Sequence, residues 1–142
     1  MGTEKIINVL LVEDDEVDIM NVQRAFNKNK ISNPLYVVRN GVEALEILGE
    51  KGEAQITPLP RVILLDVNMP KMGGIEFLQN LRMNEKLKSI SVFVLTTSAH
   101  DNDKIAAYNL NVAGYILKPL SFESFSSAVA VLNNYWKLCE QL

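Results

Sequence analysis

The chain has 142 residues, a formal net charge of −3, and hydrophobic residues making up 48% of the total. That size and composition suit one domain with its own core, and the slight acidity leaves no broad basic field for nucleic acid or an anionic membrane surface. Cys139 is the only cysteine, so no intrachain disulfide can form and a reducing, cytoplasmic setting is expected.

Ile6–Val12 is a short apolar run that suits a buried strand. It also weighs against a secretory signal, because Asn8 interrupts it and it runs straight into E-D-D-E. Ile19, Val22, Ala25 and Phe26 then recur at helical spacing. The N-K-N-K run at 27–30 reads as its solvated end. Asn33-Pro34 breaks the chain and Leu35–Val38 reads as a second strand. Asn40-Gly41 reads as a turn, and Val42, Leu45, Ile47 and Leu48 as a second helix. Gly49–Pro60 is polar, with two glycines and two prolines, and reads as a surface loop.

Val62–Leu65 is the third strand, and Ile75, Leu78 and Leu81 mark a helix after Gly73-Gly74. Val92–Leu95 is the fourth strand. Asp101 is placed to cap a fourth helix bearing Ile105, Ala106 and Tyr108. Ala113–Leu117 is the fifth strand. Ser121 is placed to cap a last helix, on which Phe125, Val129, Leu132 and Trp136 form one apolar face. Cys139 near its end reads as a small apolar residue, and His100 as an exposed loop residue. No stretch approaches the roughly 20 apolar residues of a membrane-spanning helix.

Five apolar strands alternating with five helices indicate an α/β fold, a parallel sheet covered on both faces. In such a sheet the chemistry sits at the carboxyl ends of the strands. The first strand delivers Glu13-Asp14-Asp15-Glu16 there, the third Asp66, the fourth Thr96-Thr97-Ser98 and the fifth Lys118-Pro119. Each alone has a structural reading: acids complement a helix dipole, threonine suits a strand, and Asp66 could cap a helix. Together they read differently. Clustered carboxylates repel one another unless a cation joins them. Mg2+ suits that site because it takes one or two carboxylates and keeps waters and phosphate oxygens. A cation, a lysine and a hydroxyl can hold a phosphoryl group, and a strand-end carboxylate can accept it.

The acidic pair Glu13-Asp14, D-V-N-M-P-K-M-G-G from Asp66, Thr96, and G-Y-I-L-K-P ending at Lys118-Pro119 resemble the receiver domain of two-component response regulators, the CheY-like family. The resemblance covers nearly the whole chain, with the core at about residues 5–137 of a single domain spanning 1–142. It implies a flavodoxin-like (βα)5 fold with strand order 2-1-3-4-5. It implies that Asp66 is the phosphoacceptor and that Thr96 and Lys118 bind phosphoryl oxygens. It implies that Glu13, Asp14, Asp66 and the backbone carbonyl of Asn68 hold Mg2+. Tyr115 matches the aromatic that follows the threonine on switching, and Asn68 and Ser98 match positions that tune hydrolysis. A cis Lys118–Pro119 peptide is also implied. The expected partner is a sensor histidine kinase or a histidine phosphotransfer protein. Output would pass through the face formed by the fourth helix, fifth strand and fifth helix, which also mediates homodimers in the family. No output domain is expected within these residues, so a protein contact would carry the signal. The Gly49–Pro60 segment and the closing Y-W-K-L-C-E resemble stand-alone regulators that partner bacterial phytochromes.

Three rival readings differ in their demands. A flavin binder needs a phosphate cradle after the first strand, where this chain is acidic. A D-x-D phosphatase needs an aspartate where Asn68 stands. A pseudo-receiver acting as an interaction scaffold should lack Asp66, Thr96 or Lys118, and all three are present.

Overall fold

The computed structural model describes residues 7–67, 69, 72–96, 105 and 109–118, together with 123, 126, 127, 130, 131 and 134. Its elements run β1 (Val9–Val12), α1 (Glu16–Lys28), β2 (Leu35–Val38), α2 (Gly41–Leu48), β3 (Val62–Asp66), α3 (Gly74–Met83), β4 (Ser91–Thr96) and β5 (Gly114–Leu117). All strand pairings are parallel, in the order β2-β1-β3-β4-β5. The chain order reverses between β1 and β3, which opens a crevice at the carboxyl ends of those two strands.

Side-chain alternation splits the core in two. Val9 and Leu11 of β1 and Val62 and Leu64 of β3 pack with Ile19, Val22, Ala25 and Phe26 of α1. Leu10 and Val12 of β1 and Ile63 and Leu65 of β3 pack with Ala44, Leu45 and Leu48 of α2 and Phe77, Leu78 and Leu81 of α3. Helices thus cover both faces, as the continuous apolar strands imply. Each buried Val, Leu, Ile or Phe contributes about 1.5–3 kcal/mol to holding these layers together. Glu123, Ser126, Ser127, Ala130, Val131 and Asn134 are helical. Buried Ser126 joins α1 through a 2.9 Å bond from Asn29 Nδ2 to its Oγ. The faces expected of Phe125, Val129, Leu132 and Trp136, the caps Asp101 and Ser121, His100, Cys139 and the Lys118–Pro119 peptide lie outside the described residues.

Several boundaries shift for physical reasons. The β1 ladder starts at Val9, where its partners Leu35 and Val62 begin. Asn8 instead donates from Nδ2 to Pro58 O at 2.7 Å and anchors the long loop. That loop is not purely superficial: Ile56 is 1% exposed and belongs to the α2/α3 core. β2 is one edge of the sheet, and Tyr36 is exposed there. Asn40-Gly41 is not a free turn. Asn40 caps α2, its Oδ1 accepting from the Glu43 N–H at 2.9 Å, and Gly41 is the first helical residue. The buried stripe is therefore Gly41, Ala44, Leu45 and Leu48, and Val42 faces solvent. Gly49 ends α2 in the left-handed conformation, φ 77°, a position that suits glycine.

Candidate functional site

Glu13 and Asp14 follow β1 directly, and the chain there must turn into α1. Asp15 makes the turn by capping the helix, its Oδ1 accepting from the N–H groups of Val17 at 2.8 Å and Asp18 at 3.2 Å. This frees Glu13 from a capping role. It lies fully buried, and its Oε1 accepts from the Asp15 N–H at 3.2 Å. Asp14 stays exposed. Asp66 is the last residue of β3 and is 3% exposed. It is no helix cap, since α3 is capped by Gly73. Instead the chain crosses back over itself, with Gly74 N–H donating to Val67 O at 3.1 Å.

Glu13, Asp14 and Asp66 each bring a carboxylate oxygen to within 4.8 Å of the other two. Residues far apart in sequence meet because β1 and β3 are neighbours in register. Thr96 ends β4 just past Leu95, the register partner of Asp66, and is buried. Lys118 follows β5, its N–H donating to Thr96 O at 2.7 Å. Its ammonium Nζ reaches back to Glu13 Oε2 at 2.9 Å and Asp66 Oδ1 at 3.4 Å. Tyr115 on β5 faces Val94 in register and is partly exposed. Asn68 and Ser98 lie outside the described residues.

The third partner of Lys118 is Asp18, whose Oδ2 also lies 2.9 Å from Nζ. Nothing in the local sequence marks it. Asp15-x-x-Asp18 looks like an ordinary acidic first turn, and only the return of β5 beside β4 brings a lysine to it.

The electrostatics follow from crowding. Burial pushes the Glu13 carboxyl up to about 8; the Lys118 hydrogen bond opposes this, while the charge of Asp66 and a hydrogen bond with it add to it. Burial alone would lower the Lys118 ammonium. Its hydrogen bonds to Asp18 and Glu13, with the charges of Glu13 and Asp66, outweigh burial and hold it above the usual range. The ammonium stays charged, and the excess of carboxylates calls for a further positive charge. Three hard oxygen donors, two of them buried, suit a divalent cation of the Mg2+ type.

The fold is that of a receiver module. Residues 9–130 match the family model for the response regulator receiver domain, and the chain belongs to that family. It is 38% identical over 128 residues to response regulator Rcp1 of Synechocystis sp., covering 90% of this chain and 87% of that protein. The crystal structure of the Mn2+-bound form of Rcp1 superposes with a TM-score of 0.77 at 37% identity, covering 92% of this chain and 94% of the other. That of the phosphorylated cyanobacterial phytochrome response regulator RcpA gives 0.80 at 33% identity, covering 93% and 94%. The flavodoxin-like, CheY-type topology is thus shared throughout. Among the described residues no helix is long and apolar enough to cross a membrane.

Proposed function

We propose that this chain is a phosphoacceptor: a phosphohistidine donor transfers its phosphoryl group to Asp66 in a Mg2+-dependent reaction. The observation that carries the reading is the meeting of Asp66 with Glu13 and Asp14 on one side and the Lys118 ammonium on the other. The rival scaffold reading gives no reason for burying a lysine among carboxylates.

An Asp66 oxygen attacks phosphorus in line. The P–N bond breaks, and its electron pair returns to the imidazole of the donor, which is then reprotonated from solvent. The product is an acyl phosphate, and water later cleaves it to inorganic phosphate and the Asp66 carboxylate. Asp14 and Asp66, with the Asn68 carbonyl and Glu13 through water, would hold the cation. When bound, Mg2+ supplies Lewis-acid charge that offsets the charge gathering on the phosphoryl oxygens. Lys118 turns its ammonium to a phosphoryl oxygen, and the Thr96 hydroxyl donates to another. By the family resemblance, Asn68 and Ser98 would tune the rate of that hydrolysis.

The new group adds a charge of about −1.5 to −2. Thr96 moves towards it, and Tyr115 follows into the space released. The face around β5 then changes, and a protein partner or a second copy of the chain reads it. The module is a signalling protein whose own residues catalyse its phosphorylation and dephosphorylation. It is one receiver domain over 1–142 and acts in the cytoplasm without binding nucleic acid. Likeness to the phytochrome response regulator RcpA supports a phytochrome-type sensor kinase as the donor, directly or through a phosphotransfer protein.

The test is intact-mass measurement after incubation with acetyl phosphate and Mg2+. Wild type should gain one phosphoryl group. Asp66→Asn should gain none while keeping its fold, and a chelator should block labelling of wild type. Undiminished labelling of Asp66→Asn would overturn the assignment.

A further inference from the structure

We propose that Asp18 is a positioning residue that competes with the incoming phosphoryl group for Lys118 and so restrains phosphorylation of Asp66, an inference that rests on the phosphoacceptor reading above. An ammonium has three N–H donors. Around Lys118 Nζ stand three carboxylates: Glu13 and Asp18 at 2.9 Å and Asp66 at 3.4 Å. The donors are thus matched before a phosphoryl group arrives, and the two nearer partners are not the acceptor. For Lys118 to bind a phosphoryl oxygen, one of the three must give way.

Their surroundings decide which. Glu13 is fully buried at the end of β1 and also holds the Asp15 N–H. Asp66 is the group that becomes phosphorylated. Asp18 lies on α1, and its side chain is 14% exposed, so water can take over its hydrogen bond. It also sits in the first turn of that helix, where the dipole favours a carboxylate after the lysine leaves. A capping-box role does not account for it. The donor such a residue would take, the Asp15 N–H, is held by Glu13. Asp18 acts in two ways in the same direction: it withholds the lysine, and it adds negative charge beside the path of an anion.

The experiment compares wild type with Asp18→Asn and Asp18→Ser, all with saturating Mg2+. Initial rates of Asp66 phosphorylation by acetyl phosphate are read by intact mass, and the affinity for beryllofluoride, a phosphoryl mimic, is read by calorimetry. Both variants should phosphorylate faster by about threefold, the small net effect left when water replaces one hydrogen-bond partner of the ammonium, and should bind beryllofluoride more tightly by a similar factor. A purely structural role would not tighten that binding. Unfolding temperatures verify the fold, and the serine variant carries the comparison if the asparagine variant does not fold. If wild type is labelled at Asp66 but neither variant is faster or binds more tightly, the role of Asp18 is overturned and the phosphoacceptor reading stands. If wild type is not labelled at Asp66, both are overturned.

Discussion

Lys118 Nζ lies 2.9 Å from Glu13 Oε2, joining two residues 105 positions apart in the chain. The contact ties the end of the last strand to the end of the first across β3 and β4. It places one ammonium where carboxylates crowd, so several properties of the protein should respond to it together.

Removing that ammonium should expose the crowding. Lys118→Met leaves Glu13, Asp18 and Asp66 beside one another without their cation. Breaking a buried pair in this way costs about 3 kcal/mol. Urea unfolding near neutral pH should show a loss of that order, and millimolar Mg2+ should recover part of it. Equal losses with and without Mg2+ would mean that the carboxylates do not share a cation.

The pH dependence follows from Glu13. Its carboxyl rises from an ordinary 4.5 to about 8 in the folded protein, burial being the largest cause. The folded state then holds this proton more tightly than the unfolded state. The resulting stability is fully present below 4.5 and is lost as pH rises through about 8. The metal-free protein should therefore melt at progressively lower temperature across that window. Glu13→Gln should flatten the fall, and Mg2+ should oppose it because the cation takes the place of the proton. A wild-type curve parallel to that of Glu13→Gln would contradict the assignment.

Gly74 holds the strand end that carries Asp66. A Cβ at this position would stand 2.5 Å from Val67 Cα and 2.6 Å from Asp66 O, both backbone atoms that cannot swing aside. Gly74→Ala should cost about 2 kcal/mol by overpacking. It should also slow labelling of Asp66, because relief of the clash must move the acceptor strand. Thermal unfolding and the mass assay measure the two effects separately. Wild-type values in both would show that the segment yields easily.

Arg82 of α3 clasps the opposite end of the sheet. Its guanidinium donates to the carbonyls of Lys88, Ile90, Leu110 and Asn111 at 2.8–3.0 Å, and its burial lowers its basicity. Arg82→Met should destabilise by about 3 kcal/mol, since several carbonyls lose a charged donor. Arg82→Lys should recover little, because a point charge cannot reproduce the planar fork. Full rescue by lysine in denaturant unfolding would argue against the clasp.

The sequence alone determined the layers and the rim. Period-two and helical apolar patterns are local, so the strands, α1 and α3 could be read from the residues themselves, as could Asp66, Thr96 and Lys118 at strand ends. Boundaries were less legible where partners set them. Val9 begins β1 because Leu35 and Val62 begin there, and Ile56 is core because a loop folds inward. The capping role of Asn40 was hidden by the turn-like Asn-Gly pair, which shifted the expected face of α2 towards Val42. Asp18 was decided only by the tertiary structure. Within its own helix turn it is one acid among several. It becomes a partner of Lys118 because parallel pairing brings the far end of the chain alongside, and contacts at that separation leave no periodicity in the residues that make them.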